Sequence, residues 1–322
     1  MDNKDDKDTN DKPIEQPKQP RNLQGLLKFA LEATRSEDPT TATDMQMSAE
    51  SREFLEKALK SMTVDTAKEM LDAAKVTLDP DASEDDQVDA LEVICGHVIN
   101  IDQANVFHQI GGYDILKPCL NSKYEGVRAG AAALVADIAR NNTTGQTTLA
   151  QINMLQEIAP LLTHPEPICT NAMSAISSLV TNYEAGMLEL FNSGLIDRIV
   201  SVLETRKENK LITKVTFFLA GIPGCHPEFV DKFLDLGIMK YLSGLIVPVT
   251  QEDLQDSQVL NKVQNILHAT TTFCSYNRSL DDLRVIAPDL PERLKEIAKV
   301  AATDEAFDDI KDYAEQILKV LK

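Results

Sequence analysis

The chain has 322 residues, of which 43% are apolar and 26% charged, and its formal net charge at pH 7 is −19. This length and apolar content predict a globular protein with a substantial buried core. The acidic charge repels phosphate backbones, so it disfavours nucleic acids and anionic membrane surfaces as partners. Soluble proteins that carry basic patches are the expected partners.

Neither terminus carries a recognisable targeting signal. The N-terminal stretch MDNKDDKDTNDK lacks the apolar core of a secretory signal, and the C-terminal LKVLK resembles no retention or lipidation motif. The longest apolar stretch, GAAALVADIA, is too short to span a bilayer. The sequence therefore predicts a cytoplasmic protein and leaves the nucleus open as a second location.

The N-terminal quarter is predicted to hold a tail followed by helices. Residues 1–20 contain almost no apolar side chains, so a disordered tail is expected there. Within residues 21–83, apolar residues recur every three or four positions in NLQGLLKFALEATR, SAESREFLEKALKSM and TVDTAKEMLDAAKVTL, a spacing typical of amphipathic helices. A linker with Pro39 follows the first of these helices, and Ser48 and Thr63 are the predicted N-caps of the other two.

From about residue 84 the sequence repeats itself. The apolar segments GYDILKPCL, MLQEIAPLL, LIDRIVSVL and IMKYLSGLI end 42, 41 and 43 residues apart, at Leu120, Leu162, Leu203 and Ile246. An all-helical period near 40 is typical of armadillo or HEAT arrays. We therefore predict an all-α, armadillo-like right-handed α-solenoid superhelix, with four repeats in residues 84–250 and a degenerate repeat plus a helical cap in residues 251–322.

No combination of residues predicts catalysis, a metal site or a cofactor. His97 and His108 stand eleven residues apart across a helix break, whereas metal ligands usually sit closer or four apart on one helix face. Cys225, His226 and Glu228 in GIPGCHPEF fit a helix break better than a nucleophile with its base. The five cysteines are scattered singly and are expected to be buried apolar residues in a reducing compartment: Cys95, Cys119, Cys169, Cys225 and Cys274.

A series of asparagines is the stronger functional signal. Asn100, Asn141 and Asn182 close long helix patterns at intervals of 41 residues. In armadillo solenoids such positions face a bound partner, but an asparagine at a helix end can also satisfy free carbonyls, and the sequence favours the two roles equally. Importin-type adaptors place a tryptophan four residues earlier. This chain contains no tryptophan, which argues against a receptor for nuclear signals.

Several motifs together resemble one family, the armadillo-type nucleotide exchange factors of heat-shock protein 70 (the Hsp-binding-protein, Fes and Sil group, in its cytosolic form). LQGLLKFALEAT is similar to the N-terminal segment of that family, with Phe29 in place of the usual tryptophan, and SAESREFLEKAL to the helix that follows. NIDQANVFHQIGG, NAMSAISSLVTNYEAGMLEL and KVTFFLAGIPGCHPEF are similar to its first-, third- and fourth-repeat motifs. The third-repeat motif, NAMSAISSLVTNYEAGMLEL, departs from the family pattern at Thr181, where the family usually has arginine.

The resemblance implies a monomeric, non-enzymatic co-chaperone. Such proteins clasp the nucleotide-binding domain of heat-shock protein 70 in a concave groove and promote ADP release, which aids release of the chaperone's substrate. The residues expected to contact the chaperone are Glu92, Asn100, Asp102, Ala104, Asn105, Arg128, Asp137, Asn141, Asn182, Lys214 and His226.

Ala104 is expected to matter because it is small, so that Ala104→Arg would block chaperone binding with little effect on thermal unfolding. For residues 23–34, displacement of chaperone substrate and docking on the solenoid end both remain open, with docking favoured. The alternative function for the whole chain is a general armadillo scaffold with another partner.

Overall fold

The computed structural model describes residues 65–322. Four predictions lie outside the described residues: the tail at residues 1–20, the amphipathic helix at residues 22–35, the linker with Pro39, and the helix predicted to begin after Ser48. The helix predicted from Thr63 is present, but it begins at Thr66 and its N-cap is Asp65, whose side chain accepts a hydrogen bond from the Lys68 amide.

Residues 65–322 form α-helices joined by short turns, and this part of the chain contains no β-strand. The helices are, in chain order, α1 (Thr66–Thr77), α2 (Glu84–Val98), α3 (Ile101–Gln109), α4 (Leu116–Leu120), α5 (Glu125–Ala139), α6 (Thr143–Gln151), α7 (Met154–Ile158), α8 (Ile168–Val180), α9 (Glu184–Asn192), α10 (Ile196–Thr205), α11 (Asn209–Cys225), α12 (Val230–Asp235), α13 (Ile238–Leu245), α14 (Gln251–Gln255), α15 (Ser257–Phe273), α16 (Asn277–Ile286), α17 (Leu290–Ala301) and α18 (Asp308–Leu321). The predicted all-α fold is confirmed. Among the described residues, no helix is long and apolar enough to cross a membrane.

The long helices recur in register with the sequence period. Two shorter segments separate α2, α5, α8 and α11, and each of these long helices packs against the next. Hydrogen bonds join three neighbouring pairs near their N-terminal ends: Gly126 N to Glu84 Oε1 (2.8 Å), Asn171 Nδ2 to the Ala129 carbonyl (3.0 Å), and Lys262 Nζ to Asn209 Oδ1 (2.8 Å). The long helices α2, α5, α8, α11 and α15 therefore lie side by side.

Residues in the left-handed backbone region mark the turns of each repeat. Gly111, Gly194 and Gly237 have φ angles of 82°, 70° and 74°, which glycine adopts at little cost. The second repeat has Asn153 in the corresponding turn, with φ 55°. Asparagine is the non-glycine residue that tolerates this region best, so the repeat keeps its geometry without the glycine.

An aromatic cluster fills the core between the third and fourth repeats. Phe233 is fully buried, and its ring packs edge-on to Phe191, Phe218 and Phe273 at centroid distances of 5.1, 6.3 and 6.4 Å. Edge-to-face packing of this kind adds to the free energy gained from burying the rings. The cluster fixes α11 against α12 and α15.

Arginine side chains hold the turns between repeats. Arg206 donates to the carbonyls of Leu162 (2.9 Å) and His164 (3.0 Å), and it pairs with Glu208 at 2.7 Å. The Arg206 guanidinium lowers the pKa of Glu208 to about 2. This pair anchors the turn that leads into α8.

Candidate partner-binding groove

The accessible side chains of the long helices form a continuous stripe on each helix. We call these stripes together the long-helix face. Within each stripe, the accessible residues recur every three or four positions, as expected for one face of a helix. The members are Asp85, Asp89, Glu92 and Gly96 on α2; Gly126, Gly130, Ala133 and Asp137 on α5; Asn171, Ser174 and Ser177 on α8; Lys210, Lys214, Phe217 and Gly221 on α11; and Gln258, Asn261, Asn265 and His268 on α15.

Two cavities open between α8, α11 and α15. The first, of about 580 Å³, is the polar cavity, lined by Glu166, Pro167, Thr170, Asn171, Ser174, Lys210, Thr213, Lys214, Gln258 and Asn261. The second, of about 280 Å³, is the Phe217 cavity, which lies toward the C-terminal ends of the same helices and also includes Ser177, Gly221 and His268. These cavities make the long-helix face a recessed groove at α8–α15, with room for side chains of another protein.

The α2–α5 end of the long-helix face is acidic. Burial raises the pKa of Asp137, although Arg140 lies 2.9 Å away and opposes the rise. Burial, together with the charges of Asp137 and Glu92, raises the pKa of the Cys95 thiol to about 12. The predicted contact residues Glu92 and Asp137 therefore lie near one another, on neighbouring helices.

The predicted contact residue Lys214 lies in the groove. It is exposed and lines the polar cavity beside Lys210, one turn earlier on α11. Among residues 65–322, no carboxylate approaches either amino group within 4.0 Å. Within this part of the chain neither lysine forms an ion pair, so both are available to a partner.

Arg128 and His226 have structural roles instead of the accessible positions that we predicted. Arg128 donates to the Ser122 carbonyl at 2.7 Å and holds the turn before α5. His226 is 2% exposed, and its Nε2 bonds to the Val180 carbonyl (2.8 Å). Because the ring joins the end of α11 to the end of α8, it cannot reach a partner, and its Nε2 is not free to activate Cys225.

The prediction for Ala104 is wrong in its placement. Ala104 is 1% exposed, because α3 packs this face inward. Gly145 and Gly186 follow at intervals of 41 residues, and a Cβ at either would lie 2.6 or 2.8 Å from a backbone carbonyl of the preceding long helix. The residue at this position is small because two helices meet there, so Ala104→Arg would perturb their packing. A loss of binding by that variant would not distinguish a lost contact from a disturbed fold.

Asn100 is the N-cap of α3. Its side chain accepts hydrogen bonds from the amides of Asp102 (2.8 Å) and Gln103 (3.3 Å), while Asp102 is exposed in the first turn. A carboxylate in the first turn interacts favourably with the helix dipole. Asn105 is half-buried and accepts a long hydrogen bond from Asn142 (3.4 Å).

Asn141 and Asn182 end the turns after α5 and α8 in the left-handed region, with φ angles of 53° and 55°. Their conformation explains why these positions hold asparagine, as the capping interpretation predicts. Both residues are exposed, so a contact with a partner remains a proposal. All three asparagines lie two residues beyond the end of a long helix, but only Asn100 is also the N-cap of the helix that follows.

Sequence reasoning missed Phe217. This side chain is 63% exposed on α11, three residues after Lys214, in the middle of the groove. Its neighbour Phe218 is 4% exposed and belongs to the core. The spacing of Lys210, Lys214 and Phe217 could have separated the two phenylalanines, because it places Phe217 on the lysine stripe.

The groove shows no feature of a metal centre. Within residues 65–322, no three His, Cys, Asp or Glu side chains cluster as metal ligands would. His268 stacks on Tyr313 at 5.0 Å, and His108 packs against Tyr113 at 4.8 Å. The rings of His97, His108, His226 and His268 thus contact aromatic rings, a carbonyl or single carboxylates.

Solved structures with a similar fold are armadillo repeat proteins. A designed armadillo repeat protein matches with a TM-score of 0.59 at 19% identity and covers 78% of this chain and 99% of that one. Another, solved in complex with the peptide (KR)4, matches with a TM-score of 0.61 at 18% identity and covers 80% and 100%. The fold and its long-helix face define the class as an all-α solenoid of the armadillo type.

Sequence comparisons find similarity to two named kinds of protein. Residues 23–107 match the family model of the nucleotide exchange factor Fes1. Hsp70-binding protein 1 of Homo sapiens is 28% identical over 243 residues, covering 70% of this chain and 67% of that protein, and its Rattus norvegicus counterpart is 28% identical over 246 residues, covering 71% and 68%. The chain is thus similar to Fes1 over residues 23–107 and to Hsp70-binding protein 1 over about 70% of its length, as its motifs implied.

Proposed function

We propose that this protein is a nucleotide exchange factor for heat-shock protein 70. The observation that carries the proposal is the match to the Fes1 family, joined to the similarity with Hsp70-binding protein 1 over about 70% of the chain. The matched family consists of exchange co-chaperones, and these are not catalysts in the usual sense.

The proposed mechanism is differential binding. The long-helix face holds the nucleotide-binding domain of the chaperone and binds its opened, nucleotide-poor geometry more tightly than its closed, ADP-bound one. A ligand can shift a conformational equilibrium only by its difference in affinity for the two states. ADP leaves faster because its closed binding site is populated less, and no bond is made or broken.

The groove supports this proposal in two ways. Its helices are joined by hydrogen bonds and share one core, so the surface is organised before the partner arrives and little ordering entropy is lost on binding. Its cavities of about 580 and 280 Å³ offer recesses for protruding side chains. The proposed contacts from the sequence that remain accessible are Glu92, Asn100, Asp102, Asn105, Asp137, Asn141, Asn182 and Lys214.

The proposal extends to the organisation of the whole chain. Residues 1–20 act as a tail, residues 21–83 as an N-terminal cap, residues 84–250 as the binding repeats and residues 251–322 as the C-terminal cap. We place the monomeric protein in the cytoplasm. Residues 23–34 either dock on the solenoid or compete with chaperone substrates.

The test is the release rate of a fluorescent ADP analogue from purified heat-shock protein 70, measured in stopped flow with excess unlabelled nucleotide and increasing amounts of this protein. We expect release to accelerate with dose and then saturate. Binding without acceleration would favour the alternative, an armadillo scaffold. If the folded protein neither binds nor accelerates release, its partner is another protein.

A further inference from the structure

Charge divides the long-helix face into two ends. The stripes on α2 and α5 carry the carboxylates Asp85, Asp89, Glu92 and Asp137. The stripe on α8 is uncharged, and the charged residues in the stripe on α11 are both lysines. In a chain with a net charge of −19, such a local reversal is unusual. It makes α11 a separate recognition surface within the groove.

We propose that Lys210, Lys214 and Phe217 form a subsite, called here the α11 subsite, for an acidic-apolar patch on the chaperone's nucleotide-binding domain. The patch presents at least one carboxylate to the lysines and, about one helical turn away, an apolar side chain to Phe217. This inference rests on the proposed function and deepens it, because it states which chemistry the groove recognises and where.

The lysines supply the first part of the recognition. Lys210 and Lys214 are four residues apart, so they lie above one another on the same side of α11. Both line the polar cavity, whose other members are mainly hydroxyl and amide side chains, such as Thr213, Ser174 and Asn261. The single carboxylate there is Glu166, and it is exposed at the mouth. The cavity thus offers cations and neutral hydrogen-bonding groups to a carboxylate.

Phe217 supplies the second part. A phenylalanine that is 63% exposed leaves a large apolar area in contact with water, and covering that area is favourable in proportion to its size. The adjoining Phe217 cavity is lined mainly by apolar surface and includes Gly221, where an added Cβ would have no heavy atom of a neighbouring residue within 4 Å. An apolar side chain of the partner can therefore pack against the ring and enter the cavity.

The two ends together set the orientation of the partner. A carboxylate-bearing patch is attracted to α11 and repelled by Glu92 and Asp137, and a basic patch experiences the opposite. Complementary charge distributions mainly provide specificity and faster association. The chaperone domain should therefore bind in one direction along the groove, with its acidic-apolar patch on α11.

The test compares subsite variants with matched controls in binding and nucleotide release. The subsite variants are Lys210→Glu with Lys214→Glu, and Phe217→Ala. The controls are Lys240→Glu with Lys299→Glu, which makes the same change in net charge at exposed positions on α13 and α17, and Val285→Ala, which truncates an 82% exposed apolar side chain on α16. Each variant is checked for its melting temperature, and its Kd for the isolated nucleotide-binding domain is measured at two salt concentrations.

We expect the lysine reversal and Phe217→Ala each to weaken binding at least about tenfold, as for residues at the centre of an interface. Both controls should stay within about twofold of the unmodified protein. The lysine effect should shrink at high salt because added ions screen charge pairs, whereas the Phe217 effect should persist. Lys214→Arg, which keeps the charge, should bind nearly as well as the unmodified protein.

Two results would overturn the proposal. One is that the subsite variants bind and accelerate release as their controls do. The other is that lysine reversal alters the hydrodynamic radius of the free protein but not its Kd for the chaperone, since the lysines would then serve an acidic segment of this chain or a second copy. If the unmodified protein fails to accelerate release, the proposed function fails instead, so the two failures are distinguishable.

Discussion

The seam between α2 and α5 and the seam between α8 and α11 occur at equivalent places in the repeat, yet one is closed and the other open. At the first, Gly126 and Gly130 bring the helices so close that an added Cβ would lie 2.9 Å from Val88 and 3.0 Å from Leu91. At the second, the helices join at their C-terminal ends through His226 and leave two cavities along their length. A repeat period thus determines where the helices lie, while the side chains at each seam determine whether a binding recess forms.

The contact between the C-terminal ends of α8 and α11, at the open seam, depends most on His226. Replacing it by alanine removes a buried ring and its hydrogen bond to the Val180 carbonyl, which keeps only the Tyr183 amide as a donor among the described residues. We expect His226→Ala to lower the free energy of unfolding by about 2–4 kcal/mol, measured as a shift in the urea midpoint. The exposed neighbour provides the control, since Glu228→Gln should change stability by less than about 0.5 kcal/mol. Equal effects would show that the seam does not depend on the histidine.

Valine at Gly126 tests the closed seam directly. Its side chain would meet Val88, a stiff β-branched neighbour, so we expect a loss of about 1–3 kcal/mol from overpacking. Gly221→Val makes the same change at the open seam, where nothing lies within 4 Å of the added Cβ, and should be nearly neutral. Similar losses in thermal unfolding at both positions would contradict the contrast between the seams.

The substitution Asp137→Asn tests whether the acidic end of the long-helix face serves binding at a cost in stability. Burial raises its pKa in the folded protein, so its charged form opposes folding, and this cost grows as the pH rises through the folded-state pKa. We therefore expect Asp137→Asn to raise stability slightly near pH 7, by less than about 1 kcal/mol, with the gain shrinking below about pH 4. If Asp137 contacts the chaperone, the same change weakens binding.

A pH series of urea unfolding together with one Kd measurement would settle the role of Asp137. Higher stability with weaker binding marks a contact residue. Higher stability with unchanged binding removes Asp137 from the proposed contacts, and a loss of stability at pH 7 would contradict the effect of burial.

Much of the fold could be read from the sequence because its signals are local and repeated. The apolar segments that end at Leu120, Leu162, Leu203 and Ile246 are helical in the structure up to or within one residue of those positions. The predicted all-α armadillo class followed from the period alone. Asn153 escaped notice because it takes the place of glycine in a single repeat.

The candidate site was harder to predict because burial depends on the neighbouring helix. Periodicity places Ala104 and His226 on helices or at their ends, but it does not reveal that α3 faces inward or that the His226 ring reaches the Val180 carbonyl. Phe217 and Phe218 are adjacent in sequence, and only the packing of α11 against its neighbours decides which one meets solvent. Lys214 came from the family resemblance, and its exposure in the structure fits the rule that a lysine is rarely buried.

The central claim is that the long-helix face binds the chaperone, and Ser174 tests it most directly. Ser174 is half-buried on α8 and lines the polar cavity, so Ser174→Arg fills the groove from a position outside the core. The measurement is the Kd of the Ser174→Arg variant for the nucleotide-binding domain of heat-shock protein 70, beside Val285→Arg as the control. We predict a loss of at least about tenfold for Ser174→Arg alone, at an unchanged melting temperature. Unchanged binding by a folded Ser174→Arg variant would contradict the claim and place the contact surface elsewhere on the solenoid.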